Sequence, residues 1–411
     1  MGIKFRLIIM NFLQYAVWGA WLISLGAYLG GGLHFTGLQI GSFFATMGIA
    51  SLFMPAIMGI VADRWIPAQR LLGICHLIAA VLMVAASRQT EYMPLYSLVL
   101  CSVMFYMPTI SLSNSVAYSS LEKAGLDTVK AFPPIRVWGT VGFIVAMVLV
   151  DLLGHAQSSF QLVMSAVFGL ILGAYSFTLP NCPVSKVGKD RPWIDTLGLR
   201  AFTLFKQRKM AIFFIFSMLL GVSLQITNAF ANDYLTNYFG NGQLFPQYQD
   251  TFGVAHANIL ISLSQLSETL CILLIPFVLR KFGIKRVMLI SMFAWVLRFG
   301  LLGTGNPGGG VWMLILSMIV YGVAFDFFNI SGSLYVDKET DSSIRSSAQG
   351  VFMIMTNGFG AFFGSYAAGK VVDLYHWPDS WFIFAGYALV VGILFAFIFK
   401  YKHNPKEINQ I

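Results

Sequence analysis

Long apolar runs constrain this chain more than any other feature. Twelve can be traced, at roughly 5–29, 37–62, 68–87, 94–118, 132–152, 158–180, 210–237, 255–280, 285–304, 311–336, 345–372 and 380–400. Each is long enough for a helix that crosses about 30 Å of hydrocarbon. Gly, Pro and clusters of charge separate them. A water-facing surface is out of reach, because only 10% of the 411 residues are charged, where a soluble domain carries about 25%. A transmembrane β-barrel would show short alternating segments, and none are evident. The pattern predicts an all-α integral membrane protein with twelve transmembrane helices.

Lys and Arg set its orientation. With the N-terminus inside, the cytoplasmic side collects Lys4, Arg6, Arg64, Arg70, Lys123, Lys130 and seven basic residues from Lys186 to Lys209. The cluster Arg280, Lys281, Lys285 and Arg286 follows, then Lys338, Arg345, Lys400, Lys402 and Lys406. The outer loops hold only Arg88, with Lys370 near the outer end of its helix. The positive-inside rule then places both termini in the cytoplasm. The net charge of +9 is thus mostly a topology signal, spread along one membrane face, and it argues against a nucleic-acid partner. Cys75, Cys101, Cys182 and Cys271 show no CxxC spacing, so free thiols are expected, with neither disulfide nor metal.

The chain divides once. "NCPVSKVGKDRPWIDTLGLRAFTLFKQRK", residues 181–209, is its longest polar stretch. The expected organisation is a six-helix bundle over 1–182, a cytoplasmic linker over 183–209 and a second six-helix bundle over 210–411. The first helix of each half starts near residues 5 and 211, and a basic turn follows the second helix near 63 and 281. These similar offsets suggest two repeats. Transporters built from such halves hold their substrate between them near the bilayer midplane. "GIVADRW", residues 59–65, resembles the loop signature of the major facilitator superfamily, Gly-x-x-x-Asp-Arg-x-Gly-x-(Arg/Lys)-(Arg/Lys). Gly59, Asp63 and Arg64 match, whereas Ile66-Pro67 replaces the expected Gly. Asp63 and Arg64 would form a conformational latch, with Asp63 pairing to a base on a neighbouring helix. The plain alternative is a snorkelled charge pair in a tight turn.

Polar groups inside the runs are the candidates for function, because an ionisable group at the bilayer centre costs about 2.5–3.5 kcal/mol. Arg136, Thr140 and Phe143 share one helical face at i, i+4, i+7, just after Pro133 and Pro134, which suit a helix first turn. Arg136 alternatively just marks a helix end. Gln225 and Asn228, at i, i+3, either contact a solute or glue helices together. Gln265 and Glu268 repeat that spacing, and glue suits an acid less. Asp326 sits among Phe325, Phe327 and Phe328, with Tyr321 one turn from Phe325. It is the first candidate for proton coupling and Glu268 the second, unless Asp326 is a structural acid paired with Arg298 or Arg136. Trp18 and Gln14 could line a cavity, while His76 reads as a packing residue. Arg298 is expected to pair with an acid, and Lys370 to snorkel beside Asp373.

These groups form a site of amides, a hydroxyl, two carboxylates and several rings, without a dense basic cluster. Phosphate esters would call for Arg and Lys clusters. A neutral, flat, multiply hydrogen-bonding solute fits better, and residue chemistry alone leaves nucleoside and sugar open. An intramembrane enzyme would need a nucleophile–base set or metal ligands, and no HExxH or GxSxG occurs. A non-transporting sensor of the same fold is a further alternative.

"FPPIRVWGTVGF", "LQITNAF", "YGVAFDFFNISGS" and "SAQGVFMIMTNGFG" closely resemble the bacterial nucleoside:proton symporters of the major facilitator superfamily, the nupG-type transporters. The likeness runs from "NFLQYAVWGAWL" to "FKYKH". It implies a twelve-helix major facilitator fold in the cytoplasmic membrane and uptake of nucleosides with a proton by alternating access. The proton is the coupling ion, no cofactor is implied, and a monomer is expected to suffice. By the same resemblance Arg136, Thr140, Phe143, Gln225, Asn228, Gln265, Glu268, Tyr321 and Phe325 look like ligand contacts, and Asp326 like the essential acid. A symporter for a sugar or another neutral polar solute is the rival with the same fold.

Overall fold

A chain that crosses hydrocarbon must satisfy its backbone polar groups internally, which helices do within one segment. The computed structural model describes residues 2–182, 184, 199–341 and 344–401, and among them every regular element is helical. The principal helices are α1 (Ile3–Gly19), α2 (Gly37–Arg64), α3 (Ala68–Ala86), α4 (Tyr92–Lys123), α5 (Thr128–Leu152) and α6 (Phe160–Ser176). Then follow α7 (Arg208–Asp233), α8 (Ala257–Phe282), α9 (Ile284–Thr304), α10 (Val311–Glu339), α11 (Arg345–Met353, Ile354–Gly360 and Ala361–Tyr375) and α12 (Asp379–Ile398). Among the described residues, ten helices are long and apolar enough to cross a membrane; the shorter Phe160–Ser176 is apolar too. Helix α1 is 17 residues long and is extended by short turns at Leu25–Ala27 and Tyr28–Gly32.

The chain forms two compact units. One comprises Met1–Phe35 and Thr46–Leu197, the other Thr36–Ala45 and Gly198–Ile411. Thr36–Ala45 joins the second because the Asp373 carboxylate accepts hydrogen bonds from the Gly37 and Leu38 N–H groups, at 2.6 and 2.8 Å. Most of the expected linker, residues 183 and 185–198, lies outside the described residues. Its remainder includes a 3₁₀ turn at Leu199–Lys206, and α7 starts at Arg208.

Packing repeats between the units. In the first, α1 packs on α5, and α3 on α4 and α6; in the second, α7 packs on α11, and α9 on α10 and α12. Each helix of the second set stands six places after its counterpart. The π-helical turns repeat as well: Tyr28–Gly32 follows the α1 region and Tyr234–Tyr238 follows α7, both opening on Tyr-Leu. The hydrophobic interior of the first unit includes Leu7, Met10, Leu72, Val116, Leu121 and Leu172, all without exposed surface.

One local expectation is corrected. Pro133 and Pro134 do not lie in a first turn, because α5 begins at Thr128 and contains both. The bonds that they remove are to carbonyls one turn back, at Val129 and Lys130. Lys130 is exposed, so that end of the helix tolerates the loss.

Candidate functional site

In the first unit, Gly142 lets α1 and α5 touch; a Cβ there would collide with the Phe12 carbonyl oxygen. That approach sets an aromatic group around Trp18. Its ring lies 5.8 Å from Tyr106 and 6.4 Å, edge-on, from Phe143. Trp18 Nε1 is buried with no hydrogen-bond partner among the described residues. The Arg136 guanidinium lies 4.0 Å over the Tyr15 ring, a cation–π contact worth about 0.5–2 kcal/mol. Arg136 and Thr140 are half-buried and Phe143 is buried. Arg136 is therefore more than a helix-end marker, since it stacks inside its own unit.

Gln14 is not left for a solute. Its Nε2 donates to Thr109 Oγ1 at 2.7 Å, and its Oε1 accepts from His76 Nε2 at 2.8 Å. The Tyr106 hydroxyl donates to the Gln14 carbonyl at 2.8 Å. His76 is thus a member of a network rather than an isolated packing residue, with its Nδ1 buried and unpartnered. Asp63 is exposed, and among the described residues it makes no hydrogen bond or ion pair.

In the second unit, α10 is clamped from both sides. From α8, the Ser267 hydroxyl donates to the Ile319 carbonyl, and Ser264 Oγ lies 3.2 Å from Met318 Sδ. From α9, the Ser291 hydroxyl donates to the Ala324 carbonyl and Arg298 Nη1 to the Ser317 carbonyl at 2.6 Å. These links fix the register of Asp326, which is 3% exposed. Its Oδ2 is buried with no hydrogen-bond partner among the described residues. Glu268 on α8 is within electrostatic reach of Asp326, and the Tyr321 hydroxyl senses both acids.

The expected base is absent from this acid. Arg298 is 2% exposed, but its guanidinium lies 4.7 Å over the Tyr321 ring. No ion pair joins it to Asp326 among the described residues. It lies instead against Tyr321, whose ring stacks on Phe325 at 5.9 Å and 16° and meets Trp295 edge-on at 6.0 Å. A polar face therefore keeps its aromatic wall in one place.

Gln225 Oε1 is buried without a partner, and the side chains of Asn228 and Gln265 make no hydrogen bond among the described residues. Glue between helices needs a partner, and none of these three amides has one among the described residues. A cavity of about 20 Å³, roughly one water, lies beside Phe325 and is lined also by Leu224, Trp295, Asn329, Thr356 and Asn357. Of these lining residues, Leu224, Trp295, Thr356 and Asn357 escaped the sequence reading. The last two stand on the π-helical stretch Ile354–Gly360, and such stretches cluster at functional sites. Asn-Gly inside an apolar run was the available signal.

The chain matches the family described as "Nucleoside H+ symporter" over residues 1–404. It is 51% identical to the xanthosine permease of Escherichia coli K12, covering 100% of this chain and 99% of that protein. It is 48% identical to the nucleoside permease NupG of the same strain, covering 98% and 97%. A crystal structure of the nucleoside transporter NupG superposes with a TM-score of 0.91 at 48% identity, over 98% of this chain and 100% of that one.

Proposed function

The chain belongs to the nucleoside H+ symporter family, and from that premise we propose that Asp326 is the acid through which it couples nucleoside uptake to protons. The protein is a multi-pass membrane transporter, not an enzyme, and it carries nucleosides together with protons. As a bacterial carrier of this family it works in the cytoplasmic membrane, with both termini in the cytoplasm and one chain as the functional unit.

One observation carries the assignment of the acid. Asp326 is buried, has an unpartnered carboxylate oxygen, and faces the field of a second acid rather than a base. Two carboxylates close together repel when both are charged, and a single proton between them relieves that repulsion. A charge is also expensive to carry through an occluded state. Protonation of Asp326, with Glu268 as its partner acid, is then the event that lets the loaded carrier isomerise. Deprotonation on the cytoplasmic side resets it.

Arg136, Thr140 and Phe143 offer a cation, a hydroxyl and a ring. Gln225, Asn228 and Gln265 offer amides that suit a base edge. Tyr321 and Phe325 offer a stacked face for the flat base, while Glu268 accepts from ribose hydroxyls. Asp63 and Arg64 act at the cytoplasmic end of α2 as the latch between conformations.

The test is uptake of labelled uridine, adenosine and xanthosine by cells expressing the chain, with and without a protonophore. Uptake that a protonophore abolishes and excess unlabelled nucleoside competes supports this reading. Uptake competed by sugars and untouched by nucleosides would move the chain to the neutral-solute alternative.

A further inference from the structure

The second unit carries a groove that none of the candidate binding residues lines. It lies between α9 and α10 and has a volume of about 670 Å³, within the roughly 300–1,000 Å³ of small-molecule sites. Arg286, Ile290, Phe293 and Leu297 line it from α9 at helical spacing, and Val320 and Val323 from α10. Ile290, Phe293 and Leu297 are 36%, 42% and 50% exposed, so the chain itself does not fill it. In a bilayer, acyl chains cover such surface.

Its dimensions match one leaflet. From Arg286 to Leu297, α9 rises about 16 Å, close to half of the roughly 30 Å hydrocarbon thickness. Its wall is apolar along that length and changes character at one end only. Arg286 is exposed, and among the described residues it makes no ion pair or hydrogen bond. Arg280 and Lys281 close α8 beside it, across the tight turn at Gly283. Lys285 is already engaged, donating to the Ala396 carbonyl at 2.9 Å.

An apolar slot one leaflet deep with exposed cations at its headgroup end has complementary chemistry for a single lipid class. The guanidinium of Arg286 can hold a phosphate diester through two parallel hydrogen bonds. Arg280 and Lys281 favour a lipid of net negative charge and repel the ammonium of a zwitterionic one. We propose that this groove binds one anionic phospholipid, with an acyl chain between α9 and α10 and its phosphate on Arg286.

The test titrates the purified full chain in detergent with phosphatidylglycerol or phosphatidylcholine and counts bound lipid by native mass spectrometry. The wild-type chain should retain one phosphatidylglycerol at least fivefold more tightly than phosphatidylcholine, and Arg286→Gln should lose about fivefold of that affinity with phosphatidylcholine unchanged. Ile290→Trp, which fills the groove and keeps every cation, should lower retention of both lipids. Uptake of labelled nucleoside in phosphatidylcholine vesicles checks that each variant is folded; a variant that fails there is replaced by the wild-type chain in 1 M salt, where the preference should vanish. Equal retention of the two lipids by the wild-type chain, or retention of phosphatidylglycerol by Arg286→Gln at the wild-type level, overturns the proposal.

Discussion

Replacing Gly322 by Ala adds one carbon where α8 and α10 are closest to the acid pair. The new Cβ would stand 2.5 Å from the Ser267 carbonyl oxygen and 2.7 Å from its hydroxyl. An ordinary contact needs 3.4 Å, so the helices must part by roughly 0.9 Å, the shortfall from 2.5 Å. Overpacking of this kind costs about 1–3 kcal/mol, and it strains the hydrogen bond from Ser267 to the Ile319 carbonyl. Function should suffer further than stability. Ser267 directly precedes Glu268, and Gly322 lies one turn before Asp326, so the shift separates the two acids. A misplacement of about 1 Å near the reacting groups can reduce a rate about a hundredfold. The assay pairs thermal unfolding in detergent with uptake in vesicles, using Gly300→Ala as the control. A Cβ at Gly300 meets nothing within 4 Å, so that change should be neutral or stabilise by up to about 1 kcal/mol. A Gly322→Ala protein as stable and as active as the control would refute the argument that close helix approach sets the acid pair.

Three further outcomes follow from particular contacts. Gln14→Leu leaves the buried His76 ring with no hydrogen-bond partner among the described residues, so thermal unfolding should reveal a loss of about 1–3 kcal/mol. Arg136→Lys keeps the charge but loses the planar stack over Tyr15; the apparent KM for nucleoside should rise about three- to thirtyfold in uptake assays, and an unchanged KM would remove Arg136 from the binding set. The ion pair between Arg345 and Asp337 spans 3.0 Å, but both side chains are nearly half exposed; Asp337→Asn should change stability by less than about 1 kcal/mol in a denaturation series.

The helices were legible because hydrocarbon imposes a length on every apolar run. What the runs concealed were their interruptions. The π-helical turns at Tyr28–Gly32, Tyr234–Tyr238 and Ile354–Gly360 involve shifted backbone bonds, and no periodicity of 20 apolar residues reports them. The α5 start was misplaced because prolines are good first-turn residues, yet "TVKAF" already forms helix before them. The polar candidates were visible as exceptions, whereas their partners were not. Asp326 could be picked out from its own neighbours in sequence. That Arg298 would choose the Tyr321 ring over an acid depends on how α9 docks on α10. Gln14 and His76 stand 62 residues apart, and only the tertiary fold joins them. Thr356 and Asn357 were passed over because Thr and Asn in a membrane helix usually cap or pair with their own backbone, as Thr356 does toward the Phe352 carbonyl at 2.9 Å.

The central claim is that a proton on Asp326 drives concentrative nucleoside uptake, and vesicles under a pH gradient test it directly. Purified wild-type protein, in vesicles made more acidic outside by one pH unit, should concentrate labelled uridine inside by up to about tenfold for each proton carried, since one unit is about 1.4 kcal/mol. Asp326→Asn, which removes the titrating group and keeps the shape, should let uridine equilibrate but not accumulate. Accumulation by Asp326→Asn at the wild-type level, with the same dependence on the gradient, would contradict the account.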